Sequence, residues 1–172
     1  MTRSCTTVDL SAYDSTRAAV EKDPAAGQGK FLTITSWVDG TRARTTVRSF
    51  TLESDEPSPL GGTDQAIDPM ELLLASVGTC LSIGWVTHAA KRGIDFRDLR
   101  IEVEGDYDLR GYLGIGTETR PGFDAIRYTV HVDTDASDAA LEEILKAAEA
   151  GSPVTDNVAS PTPVSGSISN AS

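Results

Sequence analysis

Two cysteines and two histidines in 172 residues are too few for a metal-ligand spacing or a disulfide framework. Cys5 and Cys80 lie 75 positions apart, so free thiols in a reducing compartment are the expectation, and no metal or other cofactor is expected. Positive charge is also scarce. Fifteen Lys and Arg stand against 26 Asp and Glu, a net charge of −11, and this sets the chain against nucleic acid and anionic membranes as partners. The first ten residues contain no uninterrupted apolar stretch of the kind a secretory signal needs, which leads to a cytoplasmic expectation. Internal repeats, a phosphate-binding glycine loop and a paired acid–base motif are all lacking. What remains is one domain of ordinary size at 39% hydrophobic content.

The sharpest feature present is a long apolar segment over residues 68–93 with Cys80 at its midpoint. Asp68 is a good N-cap, Pro69 suits the first helical position, and Gly93 supplies a C-terminal stop. Between residues 72 and 90 the polar side chains are Ser76, Thr79, Ser82, Thr87 and His88, so the helix is apolar nearly all round and must be covered on most sides. At 100° per residue, Ser76, Val77, Gly84 and Thr87 flank Cys80, and most of these are small, which leaves the thiol approachable. His88 lies about 12 Å further along the helix, too far to pair with the thiol in one chain.

Residues 1–28 read as a polar N-terminal arm with a short helix near residues 16–22, followed by a single domain over residues 29–172. Residues 30–38 and 43–53 are rich in Thr, Val, Phe and Ile, and Asp39-Gly40 between them signals a β-hairpin. A loop over residues 54–68 follows, long enough to carry a function. Residues 99–108 and 125–133 alternate apolar and polar, as half-buried antiparallel strands do, joined by a loop at 110–122. Ser137 caps a second helix whose buried stripe is Leu141, Ile144, Leu145 and Ala148, and residues 161–169 can add a last strand. Ser152-Pro153 after Gly151 reads as the N-cap of a further helical turn. This order gives an α+β fold, a sheet with two helices on one side.

Leu60-Gly61-Gly62-Thr63, the run from Pro69 to Cys80, the Lys91-Arg92-Gly93 helix end and Gly151-Ser152-Pro153-Val154 together resemble the OsmC/Ohr family of osmotically induced and organic-hydroperoxide-resistance proteins, over roughly residues 30–170. The resemblance implies an intertwined homodimer in which two long central helices are wrapped by mixed sheets, with a thiol site at the interface. In the peroxidase branches it implies a mid-helix cysteine that attacks the peroxide, an arginine on the first hairpin that stabilises the thiolate, a glutamate after the proline that holds the arginine, and a second, resolving cysteine. Cys80 matches the attacking position. The resolving position is Ser152, which cannot form a disulfide. The residue after the proline is Met70, with Glu71 one place later and on the opposite face from the thiol. The hairpin turn reads Trp37-Val38-Asp39-Gly40 with no arginine ahead of it, so Arg42, Arg44 and Arg48 are the nearest candidates for thiolate stabilisation.

The sequence therefore carries two functional expectations. One is thiol-dependent reduction of organic hydroperoxides through Cys80 alone, with an external thiol as reductant and a small hydroperoxide as substrate. The other is a non-catalytic dimer of the same fold that binds a small apolar ligand or serves assembly, with Cys80 as packing. Cys5 is expected to be a bystander on the arm, the lesser alternative being that the arm reaches Cys80 and Cys5 resolves it.

Overall fold

The computed structural model describes residues 8–170. The first helix, α1 (Leu10–Lys22), starts earlier than its apolar residues suggest because the Asp9 carboxylate accepts from the Ala12 amide. It buries no residue, and Tyr13 touches the body by placing its ring 3.7 Å from Lys91 Nζ.

The next region departs from the expected hairpin. It is a three-stranded antiparallel meander of β1 (Ile34–Asp39), β2 (Arg42–Val47) and β3 (Phe50–Ser54). The run at residues 43–53 is cut in two by a turn at Arg48, whose φ of 54° lies in the left-handed region. No glycine, asparagine or proline marks that turn, and the Arg48 guanidinium covers the Phe50 ring at 5.2 Å. The meander exposes Ile34, Trp37, Phe50 and Leu52.

Helix α2 (Pro69–Ala90) is the long helix expected around Cys80. A capping box starts it: the Asp68 side chain accepts from the Met70 amide, and the Glu71 carboxylate accepts from the Asp68 amide at 3.0 Å. A second antiparallel sheet pairs β4 (Asp98–Asp106) with β5 (Ala125–Asp133) in unbroken register from Asp98↔Asp133 to Asp106↔Ala125. Every second residue turns inward on both strands, the period-two pattern of a sheet with one wet face. The loop joining them contains one short turn of helix, α3 (Leu109–Tyr112). The Ser137 hydroxyl caps α4 (Asp138–Ala150), and the Ser152 hydroxyl caps α5 (Pro153–Ala159).

The core lies where α2, α4 and the β4–β5 sheet meet, around Trp85, Ala89, Phe96, Ile144 and Ala148. Leu141, Leu145, Ile101, Val130 and Val132 pack on it. The expected single sheet is thus two separate sheets, and only β4–β5 carries helices. The expected last strand is not formed. Residues 161–170 carry no regular secondary structure, and Val164 and Ile168 are exposed.

Within the chain α2 is covered on one side. Val77, Leu81, Trp85 and Ala89 form its buried stripe at i, i+4 spacing. Ala75, Thr79 and Ile83 lie on the far side, and Ile83 is 64% exposed. By length and composition alone α2 could cross a membrane, but its buried stripe faces α4 and β4 as a core helix does.

Candidate thiol site

The loop that delivers the chain into α2 is held by one carboxylate. Asp55 is 1% exposed and accepts from the Thr41 hydroxyl (2.6 Å), the Thr63 hydroxyl (2.6 Å) and the amides of Glu56, Thr63 and Gln65. Foremost the two threonine hydroxyls hold its carboxyl well below the usual carboxylate range, against the opposing effect of burial. Gly61 takes a φ of 88°, and a Cβ on Gly62 would sit 1.7 Å from the Glu56 carbonyl oxygen. Leu60-Gly61-Gly62-Thr63 therefore has a physical reason: the glycines let the loop close, and the threonine binds Asp55.

Cys80 is half-buried at the middle of α2. Among the described residues, the group that hydrogen-bonds its sulfur is Ser152, whose Oγ donates to Cys80 Sγ at 3.3 Å. Ser152 is 5% exposed and lies at the junction of α4 and α5, which the buried stripe of α4 pins against α2. The same Oγ accepts from the Thr155 amide at 3.2 Å and is 2.8 Å from Thr155 Oγ1. Close approach of α2 and α4 makes this meeting geometrically available. Gly84 faces Ala148, and a Cβ there would lie 3.1 Å from the alanine Cβ.

The sequence profile of the OsmC-like protein family matches residues 62–166, more than half of the chain. The chain belongs to the OsmC-like protein family. Solved structures agree on the fold. An OsmC-like protein from Mycoplasma pneumoniae superposes with a TM-score of 0.67 at 14% identity, covering 78% of this chain and 90% of its own. The organic hydroperoxide resistance protein OsmC of Legionella pneumophila gives 0.57 at 18% identity, covering 76% and 89%. An organic hydroperoxide resistance protein from Elizabethkingia anophelis gives 0.55 at 13% identity, with the same coverage of 76% and 89%. A comparison with curated proteins returns no significant match in sequence.

In this OsmC-like protein the sequence-derived site residues fall into two groups. Cys80 and Ser152, 72 positions apart, are brought into contact. The arginines stay on the meander. Arg42 bonds Glu53 at 3.1 Å, Arg44 bonds the same carboxylate at 2.7 Å, and both hold Glu53 below the ordinary glutamate range. Arg48 stacks on Phe50. Glu71 serves the capping box rather than any arginine. His88 is held below the ordinary histidine range by burial and by the charges of Lys91 and Arg92. Among the described residues no cluster of His, Cys, Asp and Glu is arranged to hold a metal ion. Cys5 lies outside the described residues.

Sequence reasoning missed two participants. Asp55 sits in a Ser-, Pro- and Gly-rich stretch where an aspartate ordinarily faces water, and nothing local marks it as buried. Thr155 reads as one residue of a short helix, and only the position of Ser152 over the thiol gives it a role.

Proposed function

We propose that this OsmC-like protein is a cytoplasmic, homodimeric one-cysteine peroxidase that reduces small organic hydroperoxides through Cys80. The observation that carries the reading is the contact between Cys80 Sγ and Ser152 Oγ. A hydroxyl stands where the peroxidase branches keep their resolving thiol, so an oxidised Cys80 has no disulfide partner there. The Cys80 thiolate attacks one peroxide oxygen; an S–O bond forms, the O–O bond breaks, and the departing alkoxide takes a proton to become an alcohol. A low-molecular-weight thiol then attacks the sulfenic acid sulfur, releasing water and leaving a mixed disulfide, and a second thiol restores Cys80. The net charge of −11 argues against nucleic acid or anionic membrane as a partner.

Dimer formation is part of the reading. The far side of α2, with Ile67 and the sheet residues Ile101 and Val103, forms an open groove of about 770 Å³. The meander of the same chain leaves its own apolar residues uncovered. A second copy answers both needs, and its meander is the source of the guanidinium that a partly buried thiolate requires, from Arg42, Arg44 or Arg48.

A non-catalytic dimer with a small apolar ligand at the interface is the competing reading, favoured by the commitment of Arg42 and Arg44 to Glu53 within the chain. Brief exposure to cumene hydroperoxide followed by mass spectrometry separates the two. The expected result is sulfenic and then sulfinic acid on Cys80 with no intramolecular disulfide, lost in Cys80→Ala while the dimer persists. An unmodified Cys80 under conditions that oxidise free cysteine would leave only the non-catalytic reading.

A further inference from the structure

Ser152 has more hydrogen-bonding capacity than its cap uses. A hydroxyl offers one proton and two lone pairs. The Thr155 amide occupies one lone pair at 3.2 Å, and Thr155 Oγ1 lies 2.8 Å away, in a pair where either oxygen can donate. When the threonine donates, both lone pairs of Ser152 are used, and among the described residues its own proton goes to Cys80 Sγ at 3.3 Å. When the sulfur carries a proton, the chain can run the other way, from the thiol to Ser152 and from Ser152 to Thr155. The two directions correspond to the two protonation states of Cys80.

We propose that Ser152 and Thr155 form a reversible hydroxyl relay that positions Cys80 and stabilises its thiolate, Ser152 by direct donation and Thr155 by donating to Ser152. Three features support this. Ser152 is 5% exposed, so water competes poorly for its proton. It is locked in place as the N-cap of α5, so the donor is preorganised. And donation to a charged acceptor is stronger than donation to a neutral one, so the contact favours the ionised sulfur. The serine thereby replaces covalent resolution with hydrogen-bond support for the attacking sulfur. The inference deepens the peroxidase reading and rests on it for its biological meaning, but its physical content concerns ionisation of one thiol.

The test measures the rate of Cys80 alkylation by iodoacetamide against pH in the full-length protein with Cys5→Ser, so that one thiol is read and no hydroperoxide is involved. Ser152→Ala should move the midpoint of that profile upward by about one pH unit, a tenfold fall in thiolate fraction below the midpoint. Thr155→Val, which leaves the serine and its cap in place, should move it in the same direction by less. Ser152→Thr, which keeps the hydroxyl, should bring it back toward the parent. An unchanged midpoint in Ser152→Ala overturns the relay, as does a shift that Ser152→Thr does not recover, because the effect then belongs to packing. Should Ser152→Ala not fold, Thr155→Val decides alone, and an unmoved midpoint rejects the relay. A parent protein with the expected shifts but no oxidation by hydroperoxide would reject the peroxidase reading and keep the relay.

Discussion

Asp55 illustrates how one side chain can set up a site it never touches. Its two oxygens gather three backbone amides and two threonine hydroxyls, from the β1–β2 turn and from the loop ahead of α2. Folding lowers its pKa, so its contribution to stability is complete above the ordinary aspartate value of about 4 and is lost as the pH falls toward the lower folded value. Asp55→Asn should therefore lower the urea midpoint at neutral pH, and the gap to the parent should narrow as the pH drops below about 4. Urea titrations of both proteins between neutral pH and pH 3 check this; parallel curves would deny Asp55 its role. Glu56 shifts the opposite way, pushed up foremost by burial and then by Asp68 and by Asp55 itself. At this scale the sequence was legible where a residue type is rare. Cys80 stands out by scarcity and by its place in an apolar helix. Asp55, one of 26 acidic residues, and Ser152, one more helix cap, acquire their roles from contacts that close only after folding.

Elements were most legible where a periodic pattern is long and punctuated at both ends. α4 and β5 form where periodicity and capping place them, and α2 is set by Asp68, Pro69 and a long, mostly apolar run. The meander was harder to read because the turn that splits its second run has an arginine in the left-handed region where a glycine is usual. Residues 161–170 have strand-like composition, yet a strand needs an edge to pair with, and composition says nothing about whether one is nearby. The pairing of α2 with α4 depends on a position that looks weak in isolation. Gly84 costs α2 helix propensity, but it admits Ala148 to a contact that any side chain would crowd. Gly84→Val should destabilise the fold by about 1–3 kcal/mol through overpacking and should loosen the Ser152–Cys80 contact that the α2–α4 approach makes available. Chemical denaturation measures the first effect. A change within about 0.5 kcal/mol would show that the helices accommodate the valine without strain.

At the scale of the whole molecule, the chain has apolar surfaces without covers. α2 is apolar nearly all round, and its buried positions form the Val77–Leu81–Trp85–Ala89 stripe, whereas Ile83 on the far side stays 64% exposed. The meander exposes Trp37 at 76% and Phe50 at 63%, and Val164 and Ile168 lie free beyond α5. These exposed apolar side chains are the surface that the proposed dimer would cover. In the proposed dimer α2 lies against its copy and each meander wraps the other subunit, which brings an arginine source and the thiol together. An interface related by twofold symmetry presents every residue twice, so a charge at Ile83 acts on both halves of the contact. Ile83→Glu should therefore break the dimer, and light scattering at micromolar concentration should find the parent near twice 18.2 kDa and the variant near 18.2 kDa. The variant should also lose hydroperoxide reactivity at Cys80, since a lone chain lacks the partner's meander, the proposed source of the guanidinium beside the thiolate. A parent protein of 18.2 kDa that still reacts through Cys80 would remove the dimer from the mechanism and require the thiolate to be stabilised within one chain.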